Sequence, residues 1–141
     1  MIFGDSMLRH IDAEKIFPHS NSENRCVLGA SIEETTYSIM KIRGKPDNDN
    51  VTDVLIHCGT NNLPRADSEQ AANDIGRTLH IAQQVFKNAT IHFSPIIPKK
   101  VNKSISQCDK INGLVRTICG SNSYNFIDTR GLFVKNRNIR F

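Results

Sequence analysis

A chain of 141 residues, 38% apolar and 23% charged, is expected to form one domain able to bury about 68–70% of the surface that its unfolded form exposes. No apolar run approaches the ~20 residues needed to cross a bilayer, and Met1-Ile2-Phe3 lacks the basic stretch and long apolar segment of a secretory signal, so no membrane contact is expected and the expected location is cytoplasmic. The net charge of +4 is too small to mark a nucleic-acid binder by itself, and with no Trp and 2 Tyr there is little aromatic surface for stacking on bases.

In chain order, Met1-Ile2-Phe3 reads as the end of a strand, short against the usual length of about 5–6 residues. Gly4-Asp5-Ser6 leads from it into a helical run in which Met7, Leu8 and Ile11 share a face through about Lys15, and Pro18 to Ser22 is a loop. Arg25 to Leu28 is the second expected strand. Gly29-Ala30-Ser31 follows, and Ser31 with Glu34 makes a Ser-x-x-Glu capping box for a helix reaching about Ile42, stopped by Gly44 and Pro46. After a polar loop, Asp47 to Asn50, the run Val51 to Cys58 has apolar residues on consecutive positions, the mark of a strand buried on both faces of a parallel sheet. It ends in the turn sequence Gly59-Thr60-Asn61-Asn62-Leu63-Pro64.

Ser68 to about Phe86 sets Ala71, Ile75, Leu79, Ala82 and Phe86 at helical spacings, and Ala89 to Phe93 is the fourth strand. Ser104 to about Cys119 repeats the helical pattern with Cys108, Ile111, Val115 and Ile118 on one side, closed by Gly120-Ser121-Asn122. Tyr124 to Ile127 is a fifth short strand before an irregular tail from Asp128. Strands alternating with helices define an α/β fold: a flavodoxin-like three-layer sandwich, with an about five-stranded parallel sheet and helices on both faces.

The four cysteines include no Cys-x-x-Cys pair. Cys108 and Cys119 share a helix face but stand ~16 Å apart along it, too far to bridge. All four are expected to be buried free thiols; neither a metal nor a cofactor is expected.

Three polar loops follow the first three strands: Gly4-Asp5-Ser6, Gly29-Ala30-Ser31 and Gly59-Thr60-Asn61-Asn62. In a parallel sheet they share the carboxyl edge, and a first strand flanked by the second and third brings them to one switch point. A serine at a strand-to-helix turn sits among unpaired N–H groups at the positive end of the helix dipole, which suits a nucleophilic hydroxyl whose attack on a carbonyl makes an oxyanion. Asp and Ser are also preferred helix caps, so the tripeptide by itself does not separate the two roles. At the switch point Ser6 faces the Gly29 N–H and the Asn61 amide, a close backbone approach and an uncharged donor.

These three segments resemble the first three blocks of the SGNH (GDSL-type) hydrolases, a superfamily of esterases, lipases and acetylhydrolases, and the resemblance covers nearly the whole chain. It implies that Ser6 is the nucleophile, that Ser6 N–H, Gly29 N–H and the Asn61 amide form the oxyanion hole, and that Asp5 and Asn62 support the loops. The wording Gly4 to His10 with Val54 to Leu63 is similar to the esterase-like domains of animal retrotransposon reading frames. Asn62 stands where many members have Asp. The family's fourth block, Asp-x-x-His, which supplies the general base, is absent, and the expected reading is a single domain over 1–141 truncated at both ends, acting on a small ester and impaired as an enzyme.

Of the histidines, His10 lies one helical turn after Ser6, His57 is expected to be buried and to hold the Asn61 loop by a hydrogen bond, and His19, His80 and His92 have no motif context. The alternative is a non-catalytic SGNH-like module that binds RNA or protein, weakly, through Lys99, Lys100 and Lys103 and through a second cluster of Arg130, Lys135, Arg137 and Arg140.

Overall fold

The computed structural model of the chain describes residues 1–5, 23–63, 67–97 and 105–127. Its centre is the run of consecutive apolar residues: Val54, Leu55, Ile56 and His57 are all buried, and Asp53–His57 forms strand β2. β1 (Ile2–Gly4) lies on one side of it and β3 (Thr90–Phe93) on the other, with β4 (Asn125–Phe126) beyond β3. Every pairing is parallel, with Ile2 opposite Leu55, Leu55 opposite His92 and His92 opposite Asn125.

Among the described residues the sheet has four strands where about five were expected, because Arg25 to Leu28 does not extend into a regular strand. The segment does run beside β1: Ile2 N–H donates to Glu23 O at 2.8 Å, Arg25 N–H to Ile2 O at 2.8 Å and Val27 N–H to Gly4 O at 2.9 Å. As the outermost element it has no second neighbour in the described sheet, and Asn24 Oδ1 turns inward to accept the N–H of Cys26 at 3.0 Å. A side chain takes the bond that a neighbouring strand takes elsewhere, and regular pairing shrinks to the single bridge between Ile2 and Asn24. The expected flanking of the first strand by the second and third segments is therefore present.

Helices α1 (Ile32–Met40), α2 (Ser68–Val85) and α3 (Ile105–Asn122) pack on one face of the sheet. There Ile32 and Ile39, Ile75 and Leu79, and Ile111 and Val115 meet Phe3, Val54, Ile56, Ile91 and Phe93 in one core. The Thr36 and Thr78 hydroxyls, 2.7 Å apart, join α1 to α2. On the other face Ile2 and Leu55 are buried beside Cys26 and Ile127. The helix expected from Met7 to Lys15 and the tail from Asp128 lie outside the described residues. None of the described helices is long and apolar enough to cross a membrane.

Two boundaries depart from expectation for local reasons. Pro46–Asn50 is a 3-10 turn rather than open loop, because proline presets its first residue and buried Asn48 donates through Nδ2 to Ile42 O. Helix α3 continues through Gly120 to Asn122, and its stop is Ser123, in the left-handed conformation at φ 60°.

Candidate active site

The carboxyl edge is built from the ends of β1 and β2 and from the turn before α1. Ser31 caps α1: its hydroxyl accepts the Glu34 N–H at 3.1 Å, as the Ser-x-x-Glu pattern predicts, and Glu33 and Glu34 place negative charge in the first turn. Gly29, just before the cap, has φ 72°, a conformation that side chains rarely adopt. Among the described residues, no atom outside its own neighbourhood lies within 4 Å of where a Cβ would sit.

The turn after β2 is tied to that segment by both asparagines. Asn61 Nδ2 donates to Ala30 O at 3.0 Å. Asn62 Oδ1 accepts the Ile32 N–H at 2.9 Å, one of the N–H groups that a helix start leaves without an internal partner, while Asn62 Nδ2 donates to a Glu33 carboxylate oxygen at 3.1 Å. Gln107 Nε2, from the start of α3, donates to Leu63 O at 3.0 Å and holds the far end of the turn. An amide carries two N–H donors, and Ala30 accounts for one of those on Asn61.

Asp5 directly follows β1. Its N–H donates to His57 O at 3.3 Å, and its buried carboxylate stands 3.7 Å from Nε2 of the equally buried His57 imidazole. His57 Nδ1 lies 3.2 Å from Ser94 O. His57 thus holds Asp5 and the end of β3, not the Asn61 loop, because in a period-two strand its side chain leaves the sheet on the face of Leu55. Burial pushes its pKa down, while the Asp5 charge and the Ser94 carbonyl push it back up. The cysteines feel the same carboxylate: burial, then Asp5, raises Cys26 to about 12, and burial with Asp5 and Glu33 raises Cys58. All four thiols are free; Cys58, Cys108 and Cys119 are buried, whereas Cys26, beside the sheet edge, is only partly so.

The described residues therefore bring Asp5, Gly29, Asn61 and Asn62 to one edge of the sheet. Ser6, His10, Lys99, Lys100, Lys103, Arg130, Lys135, Arg137 and Arg140 lie outside them. Sequence reasoning missed Asn112, whose amide accepts the Ile96 N–H and donates to Ile96 O, both at 2.9 Å, clamping the loop after β3 to α3. The available signal was a lone amide next to the apolar stripe of Cys108, Ile111 and Val115.

This parallel sheet, with its helices and its loops gathered at one edge, has the SGNH-hydrolase fold. Among solved structures it is similar to AlinE4, an SGNH-hydrolase family esterase, with a TM-score of 0.70 and 15% identity over 96% of this chain and 79% of that one. A Bacteroides fragilis protein assigned as an acylhydrolase superposes with a TM-score of 0.75 and 14% identity over 98% and 70% of the two chains. The OSK domain of Drosophila Oskar gives 0.68 and 16% over 99% and 69%. No family model and no curated protein matches the sequence. At such identities the likeness shows the fold alone.

Proposed function

We propose that the chain is an SGNH-type ester hydrolase domain acting by acyl transfer. The Ser6 hydroxyl attacks the ester carbonyl carbon, the carbonyl oxygen becomes an oxyanion held by Ser6 N–H, Gly29 N–H and the second N–H of Asn61, and the alcohol leaves as the acyl-serine forms. Water then releases the acid. The observation that carries this reading is the Asn61 to Ala30 hydrogen bond, which sets the carboxamide one residue from the Gly29 backbone.

These 141 residues contain no Asp-x-x-His, so within them the Ser6 proton passes through water to the departing alcohol, and turnover by this chain is slow. The test is hydrolysis of para-nitrophenyl acetate by the purified chain. Slow turnover that disappears in Ser6→Ala, and that falls by about 2.7–4 kcal/mol of transition-state stabilisation in Asn61→Ala, supports it. Equal rates for wild type and Ser6→Ala end it.

The clustered lysines and arginines support one other reading, a non-catalytic module binding RNA through Lys99, Lys100, Lys103, Arg137 and Arg140. It requires an affinity that drops steeply with salt and on neutralising Lys99, Lys100 and Arg137.

A further inference from the structure

Helix α1 carries apolar side chains on the face it turns away from the core. Ile32, Thr35 and Ile39 are buried, whereas Tyr37 is 62% exposed and Met40 47% exposed, one turn apart on the opposite side. The outward face of a surface helix is ordinarily polar, so an aromatic ring and a thioether there call for a partner. Lys41 extends the helix by one residue: it has helical geometry, its N–H donates to Tyr37 O at 3.0 Å, and its Nζ stands 5.2 Å from the centre of the Tyr37 ring.

The charges around that ring have opposite signs at opposite ends. Glu34 lies three residues before Tyr37 and Lys41 four residues after it, spacings that place all three side chains on one face. Glu34 and Lys41 are both exposed, and among the described residues neither forms an ion pair; Glu34 Oε1 accepts the Ser31 hydroxyl at 3.4 Å. A partner of one charge sign would meet attraction at one end of this face and repulsion at the other. A second copy does not. A twofold axis crossing α1 between Tyr37 and Ser38 turns the helix end for end, and Glu34 and Lys41 each stand about 5 Å along the helix from that axis. Each Glu34 then faces Lys41 of the second copy, and the two Tyr37 rings meet at the centre.

We propose that the Tyr37 face of α1 is a self-association surface on which two copies of this chain pair antiparallel, Tyr37 on Tyr37 and Glu34 on Lys41. A nine-residue helix is about 13.5 Å long and buries less than the about 1,200 Å² of a stable interface, so the dimer is weak and reversible. The surface does not involve Ser6 and stands whether or not the chain hydrolyses esters.

The test is sedimentation velocity on the intact chain over a concentration series reaching about 1 mM. The wild type should pass from monomer to dimer. Tyr37→Ser, at an exposed position, should weaken association by about tenfold or more. Glu34→Lys sets cation against cation at both ends and Lys41→Glu sets carboxylate against carboxylate, so each alone should stay monomeric. Mixed one to one they should dimerise again, because a doubly cationic face then meets a doubly acidic one, and the chain carrying both substitutions should dimerise with itself. A monomeric wild type, a dimer that Tyr37→Ser leaves at full strength, or a mixture that stays monomeric while both variants melt like the wild type overturns the proposal. Should Glu34→Lys not fold, because a cation in the first turn opposes the helix dipole, Lys41→Glu and Tyr37→Ser decide: unchanged association in either overturns it.

Discussion

Burial sets the chemistry of the thiols and of one imidazole here. Burial raises Cys26 to about 12 and Cys108 and Cys119 to about 11, and pushes Cys58 up as well, so thiolate is scarce at every site. Ellman's reagent at pH 8 should therefore react slowly with the folded chain and release four equivalents once guanidinium unfolds it; rapid reaction of Cys26 in the native state would contradict the assignment. His57 predicts a pH dependence of stability. Its folded pKa lies below the unfolded value of about 6.5, so above that pH it binds no proton in either state and its contribution is whole. As pH falls below about 6.5 the unfolded chain takes up a proton that the folded chain resists, and stability declines by up to about 1.4 kcal/mol per pH unit until the folded pKa is reached. Thermal melting from pH 7.5 to 5 should show this loss in wild type and not in His57→Asn. The composition gave no hint of it, since a histidine in an apolar strand reads as core until its two ring nitrogens have named partners.

The elements divide into those whose ends are written locally and those whose ends are not. Ser31 and Glu34 announced the start of α1, and the structure has the hydroxyl on the Glu34 N–H. Ser31→Ala should cost about 1 kcal/mol in denaturant unfolding, within the range of 0.5–2 found for lost caps. Asn62 holds the Ile32 N–H of the same helix from thirty residues away in sequence, and no local pattern announces that. Its removal leaves a half-buried donor without its acceptor, so Asn62→Ala should cost about 1–3 kcal/mol, more than the cap that was legible; an order reversed between the two variants would show that water replaces the carboxamide. Arg25 to Leu28 was over-read for the converse reason. Its apolar composition is that of a strand, but an outermost position is a fact of topology, and Asn24 uses it to bend a donor away.

At the scale of the molecule the fold was legible because the pattern is redundant: a doubly buried central strand, amphipathic helices after it, and right-handed crossovers leave few arrangements open. The approach of the candidate loops was legible as a consequence of that order, whereas the bonds that fasten them were not, since Asn61, Gln107 and Asn112 find partners by folding rather than by spacing. Packing of β1 on β2 leaves no room beside Gly4: a Cβ there would run into the His57 carbonyl oxygen, which is backbone and cannot swing aside. Gly4→Ala should accordingly abolish cooperative unfolding, whereas Gly120→Ala, whose Cβ meets none of the described residues, should fold normally; circular dichroism melts separate the two.

The ladder between β1 and β2 joins positions about fifty residues apart, Ile2 with Leu55. On a ribosome, then, the first strand emerges long before the strand that completes its pairing. Until those intervening residues have followed, it has only the segment from Glu23 to Val27 to bond with.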